Sequence, residues 1–198
     1  IIPIKAFALI EVDITRGNLN PLPLAVSPLS IDENSKKSFE KILDKENIGS
    51  EISIIVENNL RTSGLFNPLN KDAFLQAPDI ANLKPRFEDW NLIKAQALIT
   101  GKVTYVDEKL RVEFRLWDVL AGKEMMALAF TTVPNNWRRV GHIISDKIYE
   151  RLTGEKGYFD TRIIYVAEEG PKTQRKKKLA IMDQDGANNK FLTLGNEL

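Results

Sequence analysis

The sequence predicts an α+β fold: a mixed sheet covered by two main helices, followed by a partial antiparallel first blade of a β-propeller. Three observations carry that expectation. ALITGKVTYV, KLRVEFRLWDV and EMMALAFTTV are strand-like runs in series, separated only by turn residues at 107–109 and 120–123. Two helical stripes flank this meander, one at Ile52, Ile55, Val56 and Leu60, the other at Trp137, Val140, Ile144, Ile148 and Leu152. Beyond the second stripe, DTRIIYVAEE, KLAIMDQDG and ANNKFLTLG form three more short strands. Such a unit cannot bury both its faces alone, which is the property of one propeller blade awaiting its neighbours.

Taken in order, LIEVDIT alternates Ile10, Val12 and Ile14 against Glu11, Asp13 and Thr15, the period of a half-buried or edge strand. RGNLNPLP is turn and linker material. LPLAVSPL resembles a short buried strand interrupted by Pro28, and the charge-dense 32–47 a frayed surface helix or inserted loop with a weak stripe at Phe39, Ile42 and Leu43. The first main helix takes Ser50 as its N-cap and Gly64 just past its end. RFEDWNLIK forms a short helix after a loop punctuated by Pro78 and Pro85. In the meander, Leu110, Val112, Phe114 and Leu116 alternate with Arg111, Glu113, Arg115 and Trp117, so one sheet face is buried and the other largely wet. The last helix is capped by Asn135 or Asn136 and ended by Gly154. Domain boundaries follow: 9–154 as one α/β domain and 155–198 as the partial blade.

The 28 basic and 27 acidic residues leave a net charge of +1, with no excess for a nucleic-acid backbone. Cysteine is absent, which removes disulfides and thiolate metal sites. No run is long and apolar enough to span a bilayer. IIPIKAFA is mostly apolar, and Ala6-Phe7-Ala8 has the small-x-small form of a signal-peptidase site. It reads either as the tail of a secretory signal covering 1–8 or as an apolar first strand.

Little in the sequence supports catalysis. His142 is expected on the wetter face of the last helix, as a solvated histidine. G-x-S-x-G, H-E-x-x-H and the glycine-rich phosphate loops are missing. The chain is therefore expected not to be an enzyme and to use no cofactor and no metal. Asp183-Gln184-Asp185-Gly186 opens like a calcium loop, but Ala187 and Leu194 stand where ligands would be needed, so a turn between strands fits better. KTQRKKK reads as a solvated blade loop, with an anionic partner as the sharper alternative. Pattern alone leaves two readings for LIEVDIT: an ordinary first strand of the sheet, which it favours, and a tethered strand that adds to a partner's sheet.

VDITRGNLNPLPLAVSPL, NNLRTSGLFNPL and above all RRVGHIISDKIYERLTGEKGYFDTRIIYV, continued by LAIMDQDGANNKFLTLG, together resemble the TolB family in its alphaproteobacterial form. Such proteins are soluble periplasmic components of the Tol–Pal envelope system. The resemblance spans essentially the whole chain. It implies an α/β domain followed by a six-bladed propeller, of which most of one blade is present. It implies export to the periplasm by a cleavable signal, with cutting after Ala8. It also implies an adaptor that maintains outer-membrane integrity and constriction at division, touching membranes only through partners. By position, the segment facing the C-terminal domain of TolA is Leu9, Ile10, Glu11, Val12, Asp13 and Ile14, while the full propeller engages the lipoprotein Pal. Propellers of this kind also accompany serine peptidases, and an accessory domain of that class is the alternative reading.

Overall fold

A computed structural model describes residues 20–171 and 174–195. The chain divides into two compact units, with the boundary along the chain between Gly157 and Tyr158.

In the first unit, β1 (Leu22–Val26), β2 (Ser30–Ile31), β3 (Phe66–Pro68), β4 (Ala97–Val106), β5 (Lys109–Asp118) and β6 (Lys123–Thr132) make one sheet. Its order is β3-β1-β4-β5-β6, with β2 pairing the far end of β4. Pairings of β1 with β3 and β4 are parallel, and those of β4–β5–β6 antiparallel, so the sheet is mixed as expected. The β4–β5 hairpin turns on Asp107 and Glu108, both left-handed at φ 51° and 59°, the conformation that matches strand twist in a two-residue turn.

Helices α1 (Glu33–Leu43), α2 (Ile48–Thr62), α3 (Pro78–Leu83), α4 (Phe87–Leu92) and α5 (Trp137–Thr153) complete the unit. The stripes Ile52, Ile55, Val56, Leu60 and Val140, Ile144, Ile148, Leu152 are buried, as are Leu110, Val112, Phe114 and Leu116 of β5. Each such side chain contributes about 1.5–3 kcal/mol relative to exposure, so packing more than helix propensity holds α2 and α5 in place. The two helices approach closely at Gly141, where a Cβ would lie 2.9 Å from Ile55 Cγ2.

Several local expectations are corrected. The stretch 32–47 is neither frayed nor a loop over most of its length. Asp32 caps α1 by accepting from Ser35 N at 2.9 Å, and Phe39 is buried edge-to-face on Tyr105. The cap of α2 is Asn47, which accepts from Ser50 N at 3.3 Å; Ser50 lies inside the first turn. Asn136 precedes α5 without a side-chain cap, and its amide donates to Thr132 Oγ1 at 3.0 Å. The sheet is also not wet across its whole second face. Ala25, Ala81, Trp90, Ala95, Leu98 and Val119 form a second, smaller core at the β1–β4 end. There Gln76 receives Trp90 Nε1 at 3.0 Å and ties Lys84 O to Arg86 N.

The second unit is β7 (Arg162–Glu169), β8 (Lys176–Asp183) and β9 (Lys190–Phe191), an antiparallel sheet in that order. β9 is shorter than ANNKFLTLG suggests. Past Phe191 the partner of Leu179 N is the Thr193 hydroxyl at 2.9 Å, so a side chain ends the backbone ladder. Ile163, Ile164 and Val166 of β7 are exposed.

Candidate partner-binding interface

The sequence-derived site, Leu9, Ile10, Glu11, Val12, Asp13 and Ile14, lies outside the described residues. What the structure describes is the chain into which that segment runs. Asn20 is exposed, Leu22 N donates to Leu65 O at 2.9 Å, and β1 enters the sheet between β3 and β4. A segment ahead of Asn20 is therefore tethered to an interior strand.

Protein partners that bind by strand addition need a sheet edge, and among the described residues the strand order β3-β1-β4-β5-β6 ends in β3 and β6. The first, β3, is three residues long and ends at Pro68, which has no N–H to offer. A shallow groove beside it is lined by Ile54, Glu57, Arg61, Pro68, Leu69 and Lys71. Partial burial works to raise the Glu57 carboxyl, but hydrogen bonds from Arg61 (2.5 Å) and Lys71 (3.0 Å) outweigh it and hold the group below its ordinary range. The other edge is β6, ten residues long, with no charge, proline or glycine from Met125 to Thr132. Ala127, Leu128 and Ala129 at its centre are exposed. On the same face as the two alanines, β5 presents Arg111, Glu113 and Arg115 in register with Thr131, Ala129 and Ala127. Arg111 bonds Glu113 at 2.8 Å and Arg115 bonds Glu124 at 3.3 Å. Sequence reasoning placed β6 in the meander but missed that it is an edge. The signal available was the uncharged run MMALAFTT; the strand order was not.

His142 is corrected. It is 3% exposed, inside the α2–α5 contact and not on a wet face. Asn59 of α2 donates from Nδ2 to His142 Nδ1 and to Ser145 Oγ, both at 2.9 Å. With Asn59 donating, the neutral ring carries its proton on Nε2. The Ser145 hydroxyl donates to Gly141 O at 2.8 Å, so its proton points to backbone and not to the imidazole. This is a clamp between helices and lacks the serine-to-histidine hydrogen bond that activates a nucleophile.

In the second unit, Asp183–Gly186 closes a turn. Gly186 N donates to Asp183 O at 2.9 Å, Gly186 has φ 84°, and Asp185 Oδ1 accepts from Ala187 N at 3.1 Å. The basic run is less of a loop than expected, since Lys176–Lys178 open β8. Opposite them on β7, Glu168 takes Arg175 and Lys177, and Glu169 takes Lys178 at 2.8 Å. Hydrogen bonds from Arg175 to Glu168 and from Lys178 to Glu169 hold both carboxyls below their ordinary range. These cations serve a cross-strand charge ladder.

Comparison with known proteins agrees with this architecture. The family model described as the TolB amino-terminal domain matches residues 10–125. Over all 198 residues the chain is 87% identical to the Tol-Pal system protein TolB of Pelagibacter ubique (strain HTCC1062), covering 44% of that protein. A crystal structure of TolB from Acinetobacter baumannii superposes with a TM-score of 0.70 at 25% identity, over 88% of this chain and 39% of that one. The chain thus spans less than half the length of these relatives. A mixed sheet under α2 and α5, a following antiparallel unit and 87% identity along the whole chain lead to one conclusion: this chain belongs to the TolB family.

Proposed function

We propose that the chain is the amino-terminal part of a periplasmic adaptor of the Tol–Pal system, one that binds proteins and catalyses nothing. Its segment Leu9–Ile14 adds as a strand to the C-terminal domain of TolA, while a completed propeller engages the lipoprotein Pal. Ala6-Phe7-Ala8 is where an export signal would be cut. Linking an inner-membrane partner to an outer-membrane lipoprotein would serve outer-membrane integrity and constriction at division.

One observation carries this reading. In a chain of this family, an alternating segment, Ile10, Val12 and Ile14 against Glu11 and Asp13, precedes RGNLNP, which leads into β1. The sequence-derived linker is shorter than RGNLNPLP, because Leu22 and Pro23 already belong to that strand. Alternation supplies an apolar face for a partner's core and an acidic face for solvent, and main-chain hydrogen bonds supply affinity. Gly17, Asn18, Asn20 and Pro21 have the composition of a linker that would let the segment leave its own domain.

The test is calorimetric titration of residues 9–198 and of residues 15–198 with the C-terminal domain of TolA. Heat of binding with the longer chain and none with the shorter is the expected result. Equal binding by both would overturn the assignment to Leu9–Ile14.

A further inference from the structure

We propose that the β6 edge is a self-association surface on which a second copy of this chain pairs its own β6 antiparallel, about a two-fold axis at Leu128. This inference is independent of the TolA reading. Among the described residues, β6 has a sheet neighbour on one side only, β5. Long edges in natural sheets are normally blunted by inward charges, proline, short length or a bulge, because their free N–H and C=O groups template pairing. Here the one bulge lies at the start of the strand, opposite Leu116/Trp117, and Met126–Thr132 is left without any such device.

The charge pattern of the neighbouring strand selects both occupant and register. Same-face residues must lie opposite each other in a sheet, so only alternate registers are allowed. With the axis at Leu128, Ala127 faces the partner's Ala129. One row across the joined sheets then reads Arg115, Ala127, the partner's Ala129, the partner's Glu113, and the symmetric row reads the reverse. The Arg115 and Glu113 backbones of one row stand about three strand spacings, roughly 14 Å, apart. An arginine and a glutamate reaching toward each other over two alanines close that span, with Arg115 turning from Glu124 and Glu113 from Arg111, exposed in-chain partners whose pairs are each worth little. Moving the axis to Ala127 sets Arg115 against the partner's Arg115, and moving it to Ala129 sets Glu113 against the partner's Glu113. Both are penalised by like charge. An axis at Phe130 sets Glu113 against the partner's Arg111, but pairs fewer residues of the edge.

The covered face agrees with the Leu128 register. Met126 lies opposite the partner's Phe130, a thioether on an aromatic ring, and Leu128 lies opposite the partner's Leu128. Leu128 is 38% exposed in the single chain, and Phe130 is stacked on Phe114 with centroids 6.2 Å apart, so an apolar row is already laid out to the edge. Lys123 and Glu124 fall beyond the central pairs, where they oppose no like charge.

The test uses the absence of native cysteine. In the full 198-residue chain, Leu128→Cys places one thiol on the axis, directly opposite its copy, whereas Ala127→Cys places it on the other face and off the axis. Mild oxidation is expected to give covalent dimer from Leu128→Cys roughly tenfold faster than from Ala127→Cys, since directly opposed side chains have the spacing a disulfide needs. Sedimentation velocity supplies the second arm. Arg115→Glu or Glu113→Arg alone is expected to weaken association roughly tenfold, and the double exchange to recover part of that loss, because it rebuilds each row with its charges reversed while the in-chain pairs with Glu124 and Arg111 become like-charged. Circular dichroism melts establish that each variant is folded. A wild-type chain that stays monomeric across the concentration series overturns the proposal and leaves the edge to a different extended segment. Equal cross-linking at 127 and 128, or single exchanges without effect on a dimer, overturns this register.

Discussion

The two edges of the first sheet are built on opposite plans. β3 runs beside β1 at the rim of the parallel half, is three residues long, stops at Pro68 and lies next to α2. β6 closes the antiparallel half, runs ten residues and carries eight in succession without charge. The difference follows from the pairing. Parallel strands are stable when both faces are covered, so that half carries helices on one side and the Trp90 core on the other. Little room is left for a bare edge there. An antiparallel strand tolerates a wet face, so β6 can stand at the rim with its alanines in solvent. An edge that is packed has stability to lose, and one that is open has only its partner to lose.

The largest expected effect is on the packed side. Phe66 of β3 is 2% exposed and meets Tyr149 of α5 edge-to-face at 6.1 Å. Phe66→Ala should cost about 3–5 kcal/mol in a denaturant titration followed by circular dichroism. A loss below about 1 kcal/mol would mean that β3 is as dispensable as an open edge.

Next comes the clamp behind that edge. Asn59→Ala removes the donor to both His142 and Ser145 across the α2–α5 contact. Leaving buried acceptors unsatisfied should cost about 1–3 kcal/mol in the same titration. Asn59→Asp should do no better, since a carboxylate offers acceptors where donors are needed.

How much of this was legible in the residues depends on what each signal encodes. The stripes of α2 and α5 and the alternation of β5 are periodicities, and the buried positions coincide with them. The hairpin turns were legible as local chemistry. His142 was misplaced because helical phase separates a residue from one neighbour only. It lies away from Ile144, but α2 covers that flank through Asn59, and the small Gly141 of α5 itself admits Ile55 of α2 at close range. The second core was missed because α3 and α4 are six residues each, too short for a stripe, and Trp90 is held through Gln76, fourteen residues away. The β6 edge was missed for a different reason. Strand order is not local, and an uncharged run reads the same at the rim as in the middle of a sheet. As for Leu9–Ile14, their alternation alone favours an ordinary first strand; family resemblance supplied both strand addition and the partner.

A smaller effect separates the edges by pH. Glu57 beside β3 is held below its ordinary value of 4.5 by Arg61 and Lys71, against the upward push of burial. A carboxyl lowered in the folded state adds stability above its unfolded value, and that increment is lost as pH falls through the folded one. Glu57→Gln should therefore destabilise by about 0.5–1 kcal/mol at pH 7, after solvent screening, with the gap to wild type closing in acid. Urea titrations of both chains at neutral and acidic pH measure it; a gap that widens in acid would reverse the assignment.

The smallest effect on the single chain is expected at β6 itself, and it is the sharpest discriminator. Ala129 is exposed on the strand's wet face, in register with Glu113, so a lysine there meets solvent and a carboxylate instead of a core. Ala129→Lys should leave the unfolding free energy of the monomer within about 0.5 kcal/mol of wild type. The same lysine puts a charge on an edge that lacks one, the device by which natural sheets refuse a neighbour. It also blocks the small-residue passage between Arg115 and the partner's Glu113. Unchanged monomer stability with weakened self-association, measured by dilute-solution melts and by sedimentation at high concentration, would establish β6 as an open edge. A loss above about 1 kcal/mol in dilute solution would show that Ala129 is packed within its own chain, and the contrast with β3 would fail.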